Sequence, residues 1–208
     1  MEFTLHYRGP LKAANQRNKR KDHKHDLRRH FHKQLNELWN LPQLSQFRSS
    51  LVIPDPTTLE SRTLLRRVGQ YHFAPLIGSY LELVASLEMV MLRAEPEGRI
   101  FVRSGDIDNR LKTLLDALKV PNDEAALPDN VSPSSAESPF FCLLEDDSLV
   151  TNVDIQTAHW LEPEVQDSDE VVLLLHIRTK PTRVTWGNMG LEGVMNSSSD
   201  AVASRHGE

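Results

Sequence analysis

At 208 residues, with 39% hydrophobic and 25% charged side chains, the chain has the apolar content of one soluble domain with a modest core and not of two. Its longest purely apolar run, Val171 to Leu175, is far shorter than the roughly 20 residues that cross a bilayer as a helix. The single cysteine, Cys142, leaves no internal disulfide to form and fits a reducing compartment. The opening MEFTLHYRG lacks a basic-then-apolar signal pattern, so a cytoplasmic location without a membrane partner is expected.

A net charge of -5 argues weakly against a nucleic-acid binder, but the charge is unevenly placed. Lys12 to Lys33 holds nine Lys/Arg (Lys12, Arg17, Lys19, Arg20, Lys21, Lys24, Arg28, Arg29, Lys33) and four histidines. Pro121 to Glu170 holds thirteen acids and no Lys or Arg. A basic arm that meets a polyanion produces this polarity, and so does ordinary solvated charge.

Along the chain, Phe3, Leu5 and Tyr7 alternate in Glu2 to Arg8 and predict a short first strand, broken by Gly9-Pro10. Leu27, Phe31, Leu35 and Leu38 recur at helical spacing, which predicts a helix from Asp26 to about Asn40 with its basic and histidine residues on the other faces. Residues 41–70 read as a proline-punctuated insertion. Within it Thr57-Thr58-Leu59-Glu60 matches a capping box and predicts a short helix through about Arg67. Leu81 to Met91 alternates apolar and polar residues and predicts a long strand. Ile107, Leu111, Leu114, Leu115 and Leu118 then mark an amphipathic helix that Pro121 ends. Residues 122–139, rich in Pro, Ser, Asp and Asn, read as a mobile loop. Leu149 to Leu161 predicts another strand, and Glu170 to Lys180, with its VVLLLHI run, a strand buried near the sheet centre. These elements predict a single α/β domain over residues 1–186, a small mixed sheet packed with helices. A disordered tail is predicted for residues 187–208.

Three places bear on chemistry. Asp106 and Asp108 stand at the start of the leucine helix, where one aspartate is a good cap and a second gains from the helix dipole. The same pair also suits a metal site, though not a calcium EF-hand, because Arg110 and Leu111 occupy the positions where that loop needs an oxygen ligand and glycine. Lys112 and Asp116 follow Asp108 at steps of four, on one face. A surface ion-pair ladder has this spacing. So does a phosphodiester-cleaving site, where a lysine beside carboxylates steadies developing negative charge. Further on, Glu145-Asp146-Asp147 places three acids side by side, which either spread into solvent or share a cation. The pairs His23/His25 and His30/His32 lack the spacing of a helical zinc site. Cys142, beside Phe140 and Phe141, reads as packing.

Taken together, Gly105-Asp106-Ile107-Asp108-Asn109-Arg110-Leu111-Lys112, then Asp116-Ala117-Leu118, then Asp146-Asp147, resembles the RusA-like Holliday junction resolvases. The resemblance covers Leu81 to Lys180 well and the first strand and helix loosely. It implies a RusA-like α/β fold and a homodimer that cuts four-way DNA junctions with Mg²⁺ in recombination and repair. On the matching positions, Asp106, Asp108 and Asp147 would be essential carboxylates, Asp146 would support the metal shell and Lys112 would be the catalytic lysine. Arg17, Lys19, Arg20, Lys21, Lys24, Arg28 and Arg29 would grip DNA phosphates. The chain departs from the family in its two insertions, in its tail and in Glu145, which has no counterpart. The rival readings are a non-catalytic DNA-binding or interaction protein that keeps the fold, and a phosphohydrolase acting on nucleotides.

Overall fold

A computed structural model of the chain describes residues 1–13, 20–51, 63–94, 107–162, 169–185 and 188–192. The fold is mixed α/β with two sheets. In the larger, strands β1 (Glu2–Pro10), β7 (Glu170–Pro181), β4 (Leu83–Arg93) and β6 (Val150–His159) lie in the order β1-β7-β4-β6. In the smaller, β2 (Arg66–Val68), β3 (Tyr71–Ile77) and β5 (Phe140–Leu144) lie in the order β2-β3-β5. The pairs β1/β7, β7/β4 and β2/β3 are antiparallel, whereas β4/β6 and β3/β5 are parallel.

Alternation in β4 does what its sequence predicts. Leu83, Ala85, Leu87, Met89 and Met91 face inward, where they meet Val171, Leu173, Leu175 and Ile177 of β7. The VVLLLHI run is interior in strand order, between β1 and β4, but it is not buried on both faces. Leu174 is 47% exposed opposite Val90, which is itself 36% exposed, so that face of the sheet is not covered by any helix among the described residues. The expectation of a buried strand near the sheet centre thus holds for its place in the sheet and for one face only. At the β1 edge, the side-chain amide of Gln34 imitates a neighbouring strand: His6 N–H donates to Gln34 Oε1 at 3.0 Å, and Gln34 Nε2 donates to His6 O at 2.8 Å. Blocking an edge in this way satisfies groups that otherwise invite a second chain.

Helix α1 (Lys21–Asn40) begins five residues earlier than its leucine spacing predicts, and its buried face is wider. His25, Arg28 and His32 are buried with Leu27, Phe31, Leu35 and Trp39, because α1 packs against α3 (Ile107–Leu118), β5 and β1 at once. Helix α2 (Pro42–Ser45) and a 3-10 turn (Arg48–Leu51) follow. The helix predicted through Arg67 is corrected at its end, since Arg66–Val68 forms β2; its start lies outside the described residues. Residues 122–139 are pinned rather than loose. Asp123 caps one 3-10 turn, Ser134 and Glu137 form a capping box on another, and α1 holds the segment through Lys21–Asp129 at 3.4 Å and Arg29–Glu137 at 2.6 Å. The predicted tail is corrected for residues 188–192: α4 (Met189–Glu192) docks with Leu191 buried, and Asn188 Nδ2 donates to Leu81 O at 3.0 Å.

One core joins α1, α3, the inner face of the large sheet and much of the small one. Trp39 lies inside it, fully buried, its ring 5.7 Å from that of Phe141. Its indole N–H has no partner among the described residues. Trp39→Ala is expected to cost about 3–5 kcal/mol in urea unfolding. Trp39→Phe is expected to cost much less, because it keeps the ring and sheds an unsatisfied donor. Equal losses for the two variants would show that the indole N–H is satisfied.

Candidate functional site

Helix α3 carries the motif because its leucines face one way and its charges another. Ile107, Leu114, Ala117 and Leu118 are buried, while Asp108, Asn109 and Lys112 are exposed. Asp108 lies in the first turn, where the helix dipole favours an anion. Arg110, in the middle of the motif, is an anchor. It is buried, donating from Nη1 to Leu11 O at 2.7 Å and from Nη2 to Asp169 Oδ1 at 2.8 Å, and so ties α3 to the ends of β1 and β7.

The ladder Asp108–Lys112–Asp116 does not form. Asp116 pairs instead with Lys24 at 2.6 Å, and Arg28 Nη2 donates to Asp116 O at 2.8 Å. A cation at the last turn of a helix compensates carbonyls without intrahelical partners. Among the described residues neither Asp108 nor Lys112 forms an ion pair. Asp106 lies outside the described residues.

Each acid of the triplet is engaged by partners of its own. Glu145 accepts from Arg66 Nε at 2.6 Å, from Ser79 N–H at 2.7 Å and from Ser79 Oγ at 2.9 Å. Burial works against its charge, but these bonds outweigh burial and hold its carboxyl below the usual range. Gly78 makes the approach possible, since a Cβ there would lie 2.6 Å from Glu145 Oε2. Asp146 caps a 3-10 turn (Asp147–Leu149), accepting from Ser148 N–H at 2.9 Å; the Ser148 side chain first, and then this N–H, lower its pKa. Asp147 pairs with Lys119 at 3.0 Å. Lys119 follows the last residue of α3, its N–H donating to Leu115 O, and Leu144 of β5 lies beside it. Composition gives no sign of Lys119 or Arg66; only the fold brings them to these acids.

Carboxylates are hard donors and suit Mg²⁺. Yet among the described residues no group of three or more His, Cys, Asp and Glu side chains is placed to hold a metal ion, so Asp108, Asp146 and Asp147 do not share one centre in this arrangement. The basic arm is likewise drawn inward. Lys21, Lys24 and Arg29 are paired with Asp129, Asp116 and Glu137, and Arg20 Nε donates to Ala13 O at 3.4 Å. Arg28 is only 3% exposed, with burial pulling its pKa down to about 10, and it has no surface to offer a phosphate. Arg17 and Lys19 lie outside the described residues.

Of the histidines, His23 Nε2 accepts from Lys12 N–H and His30 Nε2 bonds His6 O, so these rings serve the fold. Cys142 is buried within an apolar cluster with Tyr71, Phe73 and Phe140, and burial raises its thiol pKa. A thiol kept protonated is a poor nucleophile. No helix among the described residues is long and apolar enough to cross a membrane. No family model, curated protein or solved structure matches the chain.

Proposed function

We propose that this chain is a Mg²⁺-dependent endonuclease that hydrolyses phosphodiester bonds in branched DNA, as its resemblance to the RusA-like resolvases implies. The observation that carries the reading is the exposed face of α3. There Asp108 and Lys112, one turn apart, form no ion pair among the described residues, while Arg110, Asp116, Lys119 and Asp147 are all engaged. A carboxylate and an ammonium left unspent on one helical turn suit a phosphodiester, whose hydrolysis needs both a hard cation and positive charge near the phosphate. Asp106, Asp108 and Asp147, with Asp146 in support, would hold the Mg²⁺, and a bound ion would supply the activation of water. Lys112 would face the phosphate oxygens. Two symmetric incisions call for two sites, hence a two-fold dimer acting on a four-way junction.

The rival reading is a DNA-binding or interaction protein that keeps the fold without catalysis. The engagement of Lys21, Lys24, Arg28 and Arg29 within the chain counts against a phosphate grip by these residues in either reading, whereas a binder without catalysis gives no use to concentrated carboxylates near DNA. To test the proposal, the purified chain is incubated with a labelled four-way junction and with linear duplex, in Mg²⁺ and then with excess chelator. Cutting of the junction in Mg²⁺, lost on chelation and at least tenfold slower on the duplex, is the expected result. Retention of the junction without cutting would favour the binder.

A further inference from the structure

The large sheet treats its two edges differently. At β1 the amide of Gln34 bonds both main-chain groups of His6, so that edge is closed near its middle. Strand β6 forms the other edge, and among the described residues no strand pairs with its outer side. Folded chains shield such strands by keeping them short or by placing lysine, proline or a bulge on them. Val150–His159 is a long edge strand without lysine or proline, and Asp154 is its one charged residue among Asp, Glu, Lys and Arg. Its register shift against β4 falls at the start, opposite Ala85 and Ser86, so the ladder from Asn152 onward is regular.

The side chains of β6 match an edge left unfilled. Val153 and Ile155 stand opposite Leu87 and Met89, which are buried in the core, so both belong to the core face. Yet Val153 is 38% exposed, and Ile155 is only partly buried against that core. The apolar layer of the sheet thus runs out to the edge and stops there uncovered. Asp154 and Gln156 lie on the opposite face, beside Glu88 and Val90, and both are exposed.

A second copy of the chain fits this edge. A two-fold axis normal to the sheet sets β6 antiparallel to itself and keeps the core faces of both copies on one side. Residues of the same face then stand opposite one another. A register centred on Asp154 would oppose two carboxylates. A register centred on Ile155 avoids this and pairs Thr151 to His159, nearly the whole strand. It sets Ile155 opposite its own copy, Val153 opposite Thr157, and Asp154 opposite Gln156, a carboxylate facing an amide donor.

We propose that β6 is a homodimer interface, along which two copies of the chain join antiparallel into one continuous sheet. Val153 and Ile155 of both copies then close over the axis and complete the apolar layer. Helices α1 and α3 share the core on one side of the sheet, so both copies of the Asp108–Lys112 face lie on that same side of the dimer. The strand itself carries this inference; the nuclease reading calls for a two-fold dimer without naming its surface.

Sedimentation equilibrium of the full chain, without DNA or metal, is expected to show a reversible monomer–dimer equilibrium. Gln156→Asp sets a second carboxylate opposite Asp154 at two symmetric places and is expected to weaken dimerisation about tenfold. Asp154→Lys combined with Gln156→Asp restores opposite charges and is expected to return dimerisation at least to the wild-type strength. Both positions are exposed, so the melting curves of these variants are expected to match the wild type when each is monomeric. Hydrogen exchange of the wild type needs no variant: amides in Thr151 to Ala158 are expected to gain protection as concentration rises, whereas those of β1 are not. A dimer that ignores Gln156→Asp, or gains its protection elsewhere, overturns this interface. A chain that stays monomeric at its highest soluble concentration overturns it too and leaves the edge to a foreign strand. None of these readouts involves cutting, so the nuclease reading stands or falls separately on the junction assay.

Discussion

Asp108→Asn is expected to slow Mg²⁺-dependent cutting of a four-way junction by about 10²–10³-fold, the loss typical when one preorganised charge is removed from a reacting phosphate or acyl centre. The same change is expected to leave stability nearly untouched. Asp108 is exposed, forms no ion pair among the described residues, and gives the fold only its dipole interaction in the first turn of α3, worth about 0.3–1 kcal/mol. Asparagine keeps the shape and the hydrogen-bonding oxygen while discarding the charge. A large loss of activity with an unchanged melting curve is what separates a functional carboxylate from a structural one. Asp116 supplies the contrast within the same helix. It is bound to Lys24 at 2.6 Å and both side chains are largely buried, so Asp116→Asn is expected to lower stability through the partner it abandons. If Asp108→Asn cuts at the wild-type rate, the nuclease assignment of this face fails, whatever Asp116→Asn does.

The contrast between those two aspartates also marks how far the sequence can be read. Spacing puts Asp108, Lys112 and Asp116 on one face of α3, and that face exists. Spacing cannot say that Lys24, from a helix far back in the chain, arrives to claim Asp116 in place of Lys112. The same limit applies to α1. Its leucine stripe is legible, but a helix flanked by β1, α3 and β5 buries more than one stripe, and so His25, Arg28 and His32 go inside. What reads as a basic arm becomes the clamp for the acidic segment 122–139. Strand β4 was legible because one face is open and alternation is therefore clean. Strand β5 was not: all five residues of FFCLL are buried, and a short apolar run without alternation has no period to find. In β3, Pro75 disguised a strand whose neighbour β5 pairs in parallel. The RusA-like resemblance directs attention to Asp146-Asp147 but is silent on Lys119, since that contact depends on where the long loop returns β5 to the end of α3.

Burial of the α1 histidines leads to an expected acid sensitivity. His32 is fixed as a neutral ring by its neighbours: Phe141 N–H donates to Nδ1 at 2.9 Å, which must therefore be bare, and Nε2–H donates to Ala136 O at 3.0 Å. A proton on Nδ1 would face the Phe141 N–H, and burial already lowers the pKa of this ring. His25 is packed between the rings of Tyr71 and Phe140, its Nδ1 without a partner among the described residues, and burial lowers its pKa from 6.5 to about 4. In the unfolded chain both titrate near the ordinary value. Between pH 6.5 and about 4 the unfolded state then binds more protons than the folded one, so stability falls as pH falls. Above pH 6.5 the contribution is complete, and below about 4 His25 takes no more away. The His25 shift alone corresponds to about 3 kcal/mol across that window. Carboxyls held below their usual range, such as Glu137 beside Arg29, act in the same direction but only once the pH falls below about 4.5, the ordinary value for a glutamate. Urea midpoints measured from pH 7.5 down to 5 therefore report the histidines. The midpoint is expected to hold above about pH 6.5 and then to drop in the wild type, and to drop less in His25→Phe, which keeps the aromatic packing without the titrating ring. A flat profile in the wild type over that range would mean that α1 opens enough for water to reach His25 and His32, and that the clamp on residues 122–139 is looser than its bonds imply.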